Sequence, residues 1–170
     1  RKRWLLSIVI MLFPFVASFA ADPEEGTYPT VGRLFHIARS VNKNLVCYDV
    51  NLGGKLDTHD PLNVYWVNRE KHPGETNGLS YIQRKMAYGY KLISRVIMLV
   101  MLIDAYPSRQ LTITKRDSRY VCYITINNQQ AILQSLYVKA SSKNPLSVEY
   151  VELQGISVAT NQPVTERVRK

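Results

Sequence analysis

The stretch RYVCYITINNQQAILQSLYVKA, from Arg119 to Ala140, decides the fold of this 170-residue chain. Every second position from Tyr120 to Ile126 carries an aromatic, aliphatic or cysteine side chain, so these positions share one face of an extended strand. Asn127 and Asn128 follow at once, and asparagine tolerates the positive φ angles that a tight two-residue hairpin requires. The stretch therefore predicts two antiparallel strands with a buried face.

The second strand of this hairpin, QAILQSLYVKA, is apolar on both of its faces. Leu133 and Tyr137 lie on one face, whereas Ile132, Leu136 and Val138 lie on the other. Because an exposed edge strand usually keeps polar side chains on one side, this strand is expected at the centre of the sheet.

Short β-like runs separated by turn residues fill most of the remaining chain. Outside the hairpin, the candidate strands are GRLFHIARS, NLVCYDVNL, LNVYWVNR, YKLIS, VIMLVMLIDAY, RQLTITKR and LSVEYVELQGISV. Gly53 and Gly54 supply a turn after the second of these runs. The apolar run from Val96 to Ile103 is too short for a bilayer span, which needs about 20 residues, and predicts a strand buried on both faces. The expected fold is mainly β, an antiparallel sandwich or barrel of about eight strands with one short helix.

The helix is expected within TNGLSYIQRKMAYGY. Apolar side chains recur there at spacings of three, four and four, which is the spacing of a helical stripe. The stripe consists of Leu79, Ile82, Met86 and Tyr90. Asn77 or Ser80 can cap the first turn, Ser80 and Gln83 match a capping box, and Gly89 can end the helix in the left-handed conformation. The stripe is expected to dock on the sheet.

The N-terminal residues have the pattern of a secretory signal. The cationic start RKRW precedes twelve mostly apolar residues, LLSIVIMLFPFV, and the small residues of ASFAAD. Residues 1–20 are therefore expected to be a signal peptide cleaved between Ala20 and Ala21, followed by a polar leader, 21–32, and a single β-rich domain, 33–170. The alternative is a retained membrane anchor. Export to the periplasm or cell envelope makes nucleic acid an improbable partner for the scattered basic residues, and the membrane is expected to contact only the signal segment.

A polar loop, NREKHPGETNG, is the candidate site. Its candidate ligand-binding residues are Arg69, Glu70, His72, Glu75 and Asn77, with Tyr65 and Trp66 just upstream as the wall of a pocket. An acid, a base and an anion clamp are present if these side chains converge. The alternative is a simple connection, because Pro73 and Gly74 are turn residues and the charges keep the loop solvated.

Two cysteines and three histidines give no strong chemical signal. Cys47 and Cys122 can form a disulfide in an oxidising compartment, or can serve as small buried hydrophobic residues inside strands. His59, in LDTHDP, is typical of a solvated turn, with a site role as the alternative. No pair of histidines has ligand spacing and no CxxC is present, so neither a metal nor a cofactor is expected.

Several long strings carry a resemblance to a known family. They are PLNVYWVNRE, HPGETNGLSYIQRKMAYGYK, AYPSR, AILQSLYVKA and PLSVEYVELQG. The chain resembles, from about Arg33 to Val168, an exported-protein family of Bacteroidetes that is classed only as a domain of unknown function. The resemblance implies a compact, β-rich exported domain. It implies no activity and no site residues.

Three functions are compatible with these patterns. The first is a non-catalytic binding or structural module for an amphipathic ligand or an envelope protein, using the aromatic side chains Tyr48, Tyr65, Trp66 and Tyr137. The second is a glycan- or peptide-directed hydrolase with its site in the loop from Arg69 to Asn77. The third is a scaffold that presents a sheet edge. The sequence lacks G-x-S-x-G, S-x-x-K and a phosphate-binding glycine loop, and this favours the first over an enzyme.

Overall fold

A computed structural model describes residues 32–51, 56–95 and 98–169. Within these ranges the strands are β1 (Arg33–Arg39), β2 (Asn42–Val50), β3 (Leu62–Val67), β4 (Thr76–Gly78), β5 (Tyr90–Ser94), β6 (Leu99–Ile103), β7 (Tyr106–Arg116), β8 (Arg119–Ile126), β9 (Gln129–Ala140), β10 (Val148–Ser157) and β11 (Pro163–Arg169). One helical segment, α1, joins an α-helical part, Tyr81–Gln83, to a π-helical part, Arg84–Tyr88. The expected signal peptide 1–20, the leader up to residue 31 and the turn glycines 53 and 54 lie outside the described residues.

All of these strands belong to one sheet. Nine of them, in the order β4-β3-β2-β1-β9-β8-β7-β6-β5, curl into a half-barrel, and β10 with β11 continues the sheet from β9. The mainly β prediction with one short helix is confirmed, and all nine candidate strands are present. Two of the strands, β4 and β11, were not predicted. Strand β4 has only three residues, and β11 carries a glutamate where its alternation would place an apolar residue. The expected antiparallel pairing holds except between β1 and β9, which are parallel.

Strand β9 is the junction of the sheet, as its apolar sequence predicts. One edge pairs with β10, and the opposite edge is shared by β8, at residues 129–132, and β1, at residues 135–138. The sequence of β9 is apolar on both faces, but the reason is not burial on both sides of a regular strand. Gln134 is an extra residue in the ladder with β10, and this bulge reverses the alternation, so that Leu133 and Leu136 both point into the core while Ile132 and Tyr137 are half-exposed.

The predicted hairpin turn before β9 is confirmed, whereas the predicted burial of β6 needs a correction. Asn127 and Asn128 have φ angles of 50° and 59°, as the tight hairpin turn requires. The apolar run ending at Ile103 forms β6 from Leu99 onward, but Val100 and Leu102 are half-exposed. The strand is therefore buried on one face, and the expectation of burial on both faces is wrong. Among the described residues, no helix combines the length and apolar character needed to cross a bilayer.

The start of α1 follows the sequence prediction, and its packing does not. The Gln83 amide donates to Ser80 Oγ at 3.2 Å, and the Ser80 amide donates to Gln83 Oε1 at 2.9 Å, which completes the capping box. The expected stripe is not docked, because Ile82 and Met86 are 67% and 78% exposed. Only the two outer members of the stripe, Leu79 and Tyr90, which lie beyond the ends of α1, pack against the core. Gly89 has a φ of −67°, and the expected left-handed cap is therefore also wrong.

Tyr88 anchors α1 inside the half-barrel in place of that stripe. Its carbonyl accepts a hydrogen bond from the Tyr48 hydroxyl at 2.8 Å, and its own hydroxyl accepts one from Arg39 Nη1 at 3.0 Å. The Tyr88 ring packs edge-on against Trp66, with 5.2 Å between ring centroids. The helical segment is therefore attached by its last residue, and its first part projects into solvent.

Glu166 of β11 forms an ion pair with Arg109 of β7 and a hydrogen bond with the β8–β9 turn. Arg109 donates two hydrogen bonds to Glu166, at 2.6 and 2.7 Å, and the Asn127 amide donates a third at 2.6 Å. The hydrogen bonds from Arg109, more than the opposing desolvation, lower the pKa of Glu166 to about 2. The folded chain therefore favours the ionised form of Glu166 more strongly than the unfolded chain does.

Glu166→Gln should reveal this linkage. We expect the free energy of unfolding to fall by about 1 to 2 kcal/mol near neutral pH, after allowance for solvent screening. A carboxyl group whose folded pKa is depressed stabilises the fold above its unfolded pKa, which is 4.5, and this contribution is lost as the pH falls towards about 2. Urea unfolding at several pH values measures the difference between the variant and the parent chain, which should shrink across that window. Glu149→Gln, at an exposed position of β10, is the matched control; an equal loss there would contradict the assignment.

Candidate functional site

The half-barrel is open on one side, between β3 and β5. Strand β4 pairs with β3 only at Tyr65–Val67, so the first half of β3 has no strand partner on that edge among the described residues. Strand β5 ends the other side of the sheet and pairs with β6 alone in the described part of the chain. We call the gap between these two strands the seam.

A cleft of about 380 Å³ occupies the seam. Its lining residues come from the segment before and within β3 and from the segment between β4 and the end of β5: Asn51, His59, Asp60, Leu62, Asn63, Val64, Leu79, Arg84, Gly89, Tyr90, Leu92 and Arg95. Four of the twelve lining residues are aliphatic, Leu62, Val64, Leu79 and Leu92, and the two buried ones, Leu62 and Leu79, lie at the floor of the cleft. The exposed amides, imidazole and guanidinium groups stand at its rim.

Tyr90 links the two sides of the seam. Its hydroxyl donates to Asp60 Oδ1 at 2.7 Å and accepts a hydrogen bond from the Leu62 amide at 3.4 Å. Burial, followed by the hydrogen bond to the Asp60 carboxylate, raises the pKa of Tyr90 above its ordinary value. The hydroxyl therefore remains protonated near neutral pH and acts as a fixed donor between β5 and the segment before β3.

A turn built on Asp57 positions the polar residues at one end of the cleft. Asp57 Oδ1 accepts hydrogen bonds from the amides of His59, at 2.8 Å, and Asp60, at 3.1 Å. These two backbone donors lower the pKa of Asp57, since they stabilise its ionised form. The solvated-turn interpretation of LDTHDP is therefore correct, and the turn also carries His59 and Asp60 to the rim.

The rim has an excess of positive charge. Arg84 lies just after the capped start of α1, where its amide donates to the Ser80 carbonyl at 2.9 Å, and Arg95 follows the end of β5. Both side chains belong to exposed residues that line the cleft. The Asp60 carboxylate is already hydrogen-bonded to Tyr90. The arrangement can hold an anionic group next to an aliphatic surface.

The loop predicted as the site forms the β3–β4 hairpin connection. The Asn68 amide donates to the Glu75 carbonyl at 2.8 Å, and Asn68 Oδ1 accepts hydrogen bonds from the amides of Glu70, at 3.0 Å, and Lys71, at 3.2 Å. Gly74 has a φ of 91°, which the turn requires.

The candidate ligand-binding residues of this loop stand away from the cleft. Glu70, His72, Glu75 and Asn77 are exposed, and Arg69 is half-buried with its amide bonded to Asn44 Oδ1 at 3.0 Å. None of these five is among the residues that line the cleft. Their position on the hairpin loop fits the second interpretation of the sequence, in which the loop is a solvated connection between two strands.

Tyr65 and Trp66 lie on opposite faces of β3 and do not form one pocket wall. Tyr65 donates to Asp49 Oδ2 at 2.7 Å and accepts a hydrogen bond from Arg33 Nη2 at 3.1 Å, and burial raises the pKa of Tyr65 to about 12. Trp66 instead packs on Tyr88 inside the half-barrel. Its Nε1 is buried, and no acceptor lies within hydrogen-bonding distance among the described residues.

The other two aromatic candidates are also separated. Tyr48 is fully buried and stacks on Phe35, with 4.5 Å between ring centroids. Tyr137 is half-exposed and contacts Tyr150 at 6.3 Å, whose ring lies under Arg167. The four aromatic side chains named from the sequence therefore belong to three different environments.

The two cysteines are free thiols, which corresponds to the second of the two alternatives that the sequence left open. Cys122 belongs to the core, whereas Cys47 lies on the opposite face of β2, on the side of Asp49 and Tyr65. The sheet therefore separates the two sulfur atoms. Burial raises the pKa of Cys47 to about 11, so both residues are the small buried side chains of the alternative interpretation.

The metal-ligating types of side chain are dispersed in the described part of the chain. There, no three side chains of the His, Cys, Asp and Glu types come together in a way that could hold an ion. We therefore assign no metal role to His59 or to Asp60.

Apart from His59, for which a site role was the alternative interpretation, the residues that line the cleft were missed in the sequence because they form no motif. Arg84, Tyr90, Leu92 and Arg95 are separated from Leu62 by the hairpin loop and α1, and only the curl of the sheet brings them together. One signal was available: the chain carries no Asp or Glu between Glu75 and Asp104, so any site formed there is cationic.

The structure thus defines a mainly β domain, a curled sheet with a cationic, aliphatic-floored cleft in its open side. The model of a family described as a domain of unknown function (DUF4833) matches residues 35–167, and the chain belongs to this family. No curated protein and no solved structure matches this chain.

Proposed function

We propose that this domain is a non-catalytic binding module that takes an amphipathic small molecule with an anionic group into the cleft between β3 and β5. The observation that carries the proposal is the combination, within one unclosed seam, of an aliphatic floor and two arginine side chains at the rim. The volume of about 380 Å³ falls in the range of small-molecule sites.

Each part of the cleft favours one part of such a ligand. Val64 and Leu92, the half-buried aliphatic residues of the lining, gain from contact with a hydrocarbon surface, because this contact removes apolar area from water. Arg84 and Arg95 offer planar guanidinium groups, which bind carboxylates and phosphates through paired hydrogen bonds.

Tyr90 and Asp60 support binding rather than catalysis. The raised pKa of Tyr90 keeps its proton in place, and the Asp60 carboxylate is held by that hydroxyl at 2.7 Å. A general base must be free to accept a proton from the substrate, and the Tyr90 hydroxyl, which keeps its own proton, does not meet this condition. Their role is to hold the two sides of the cleft at a fixed separation.

Titration calorimetry with decanoate and with decanol as the uncharged counterpart tests the proposal. We expect decanoate to bind more tightly than decanol, and Arg95→Gln to weaken decanoate binding roughly tenfold by removing one charged hydrogen-bonding group. Leu92→Trp should abolish binding of both compounds by filling the cleft. Arg119→Gln, at an exposed position in β8, is the matched control and should change nothing.

Two results would contradict this assignment of the ligand site. One is equal binding of decanoate by the Arg95→Gln variant and the parent chain. The other is binding that persists in the Leu92→Trp variant, which would place the ligand elsewhere.

We also propose that the domain acts after export, in the periplasm or cell envelope. The support is the cationic start, the apolar run and the small residues before Ala21. Mass spectrometry of the protein recovered from an envelope fraction of its native host should find a mature chain that begins at Ala21. Recovery of a chain that retains residues 1–20 would favour the anchor instead.

A further inference from the structure

The first part of α1 exposes a cluster of large apolar side chains. Tyr81, Ile82 and Met86 are 71%, 67% and 78% exposed, although they lie within six positions of each other. Single exposed apolar residues are ordinary on protein surfaces, but a local cluster marks a contact site. The segment is held to the sheet by Tyr88 at its far end, so these side chains project away from the core.

Positive charge surrounds this cluster. The Lys85 ammonium lies 4.9 Å from the centre of the Tyr81 ring, and Arg84, Lys91 and Arg95 are also exposed nearby in the chain. Two carboxylates approach the base of the segment. Asp60 is hydrogen-bonded to Tyr90, and Asp104 lies against Gly89. The exposed part of α1 itself carries no acidic side chain.

We propose that α1 is a docking surface for an anionic lipid bilayer, with Tyr81, Ile82 and Met86 entering the interface and Lys85 reaching the headgroups. Apolar side chains flanked by lysine and arginine are the composition of interfacial membrane anchors. A bilayer supplies diffuse negative charge without fixed geometry, and the long Lys85 side chain can reach that charge while its aliphatic stem stays on apolar surface.

This contact is separate from the signal segment and from the ligand in the cleft. It uses Tyr81, Ile82, Lys85 and Met86, whereas the tests of the cleft use Leu92 and Arg95. Arg84 lies between the two surfaces, because it belongs to α1 and lines the cleft. A domain docked in this way presents the cleft mouth to the lipid headgroups. The docking proposal and the cleft proposal can nevertheless fail independently.

A fluorescent label at position 86 provides a local readout. Met86→Cys in the full chain, labelled with an environment-sensitive nitrobenzoxadiazole probe, is mixed with vesicles of phosphatidylcholine alone or of phosphatidylcholine with phosphatidylglycerol. Cys47 and Cys122 are 0% exposed, so the probe attaches to the new thiol. Leu146→Cys is the matched control, since Leu146 is 90% exposed and lies in the β9–β10 loop. Any contact through residues 1–20 is the same in both labelled chains.

The proposal expects a blue shift and protection from dithionite at position 86 with phosphatidylglycerol vesicles, lost at high salt, and no change at position 146. Lys85→Gln in the same labelled chain should weaken the response roughly fivefold. No response at position 86 overturns the proposal and leaves a protein partner for this surface. An equal response to phosphatidylcholine alone overturns the role of charge.

Discussion

Gly155→Ala should lower the free energy of unfolding by roughly 3 kcal/mol, because the added methyl group has no space in the bulge of the β9–β10 ladder. A Cβ atom built at Gly155 would lie 2.4 Å from the Ile132 carbonyl oxygen and 3.0 Å from Ile126 Cδ1. The first of these neighbours is backbone inside the central strand, so it can move only if the register beside the bulge changes. Urea denaturation followed by circular dichroism measures the loss.

Gly78→Ala is the matched control for this prediction. Gly78 also lies in a strand, β4, but a Cβ atom there would have no neighbour within 4 Å. We expect a change of less than about 0.5 kcal/mol, because exposed substitutions without new contacts are nearly neutral. A similar loss in both variants would show that the intrinsic preference for glycine, rather than the packing at the bulge, is responsible.

Leu133→Ala should destabilise the domain by about 3 to 4 kcal/mol. Leu133 is 0% exposed and belongs to the core on the one strand that pairs with β1, β8 and β10. Truncation removes buried methyl groups and leaves a cavity that three neighbouring strands prevent from collapsing. Thermal and urea unfolding should agree on the loss, and the slope of the urea transition should stay unchanged.

Leu146→Ala is the matched control, because it removes the same side-chain atoms from an exposed position. Leu146 is 90% exposed, so its truncation removes little buried area and should leave the free energy of unfolding within about 0.5 kcal/mol of the parent value. A loss below about 1 kcal/mol in Leu133→Ala would contradict the placement of that side chain in the core.

Local patterns in the sequence were sufficient for nine of the eleven described strands. The alternation in β8, the two asparagines after it and the capping box of Ser80 with Gln83 each depend on residues at most a few positions apart. Such features follow from backbone geometry, and the structure reproduces them. The bulge at Gln134 was not predictable in this way, because its effect, an apolar pattern on both faces, is the same as that of a strand buried on both sides.

The cleft could not be predicted from any local pattern in the sequence. Leu62 and Leu92 meet across the seam only because the sheet curls until its third and fifth strands approach each other. The loop from Arg69 to Asn77 attracted attention because its polar residues are close in the chain, and closeness in the chain does not make side chains converge. The helical spacing of Ile82 and Met86 predicted burial in the same local way, but both side chains face solvent.

The parallel contact between the first strand and the ninth has a consequence for how the chain acquires its shape. His36 is aligned with Ser135, so the opening strand cannot complete its pairing until most of the polypeptide has been synthesised. Closing such a long loop is entropically costly, and sheets dominated by distant partners form slowly. A ribosome-bound intermediate that lacks the ninth strand therefore holds two separate antiparallel ribbons with exposed edges. A holdase chaperone that shields those edges during this interval should increase the yield of folded protein.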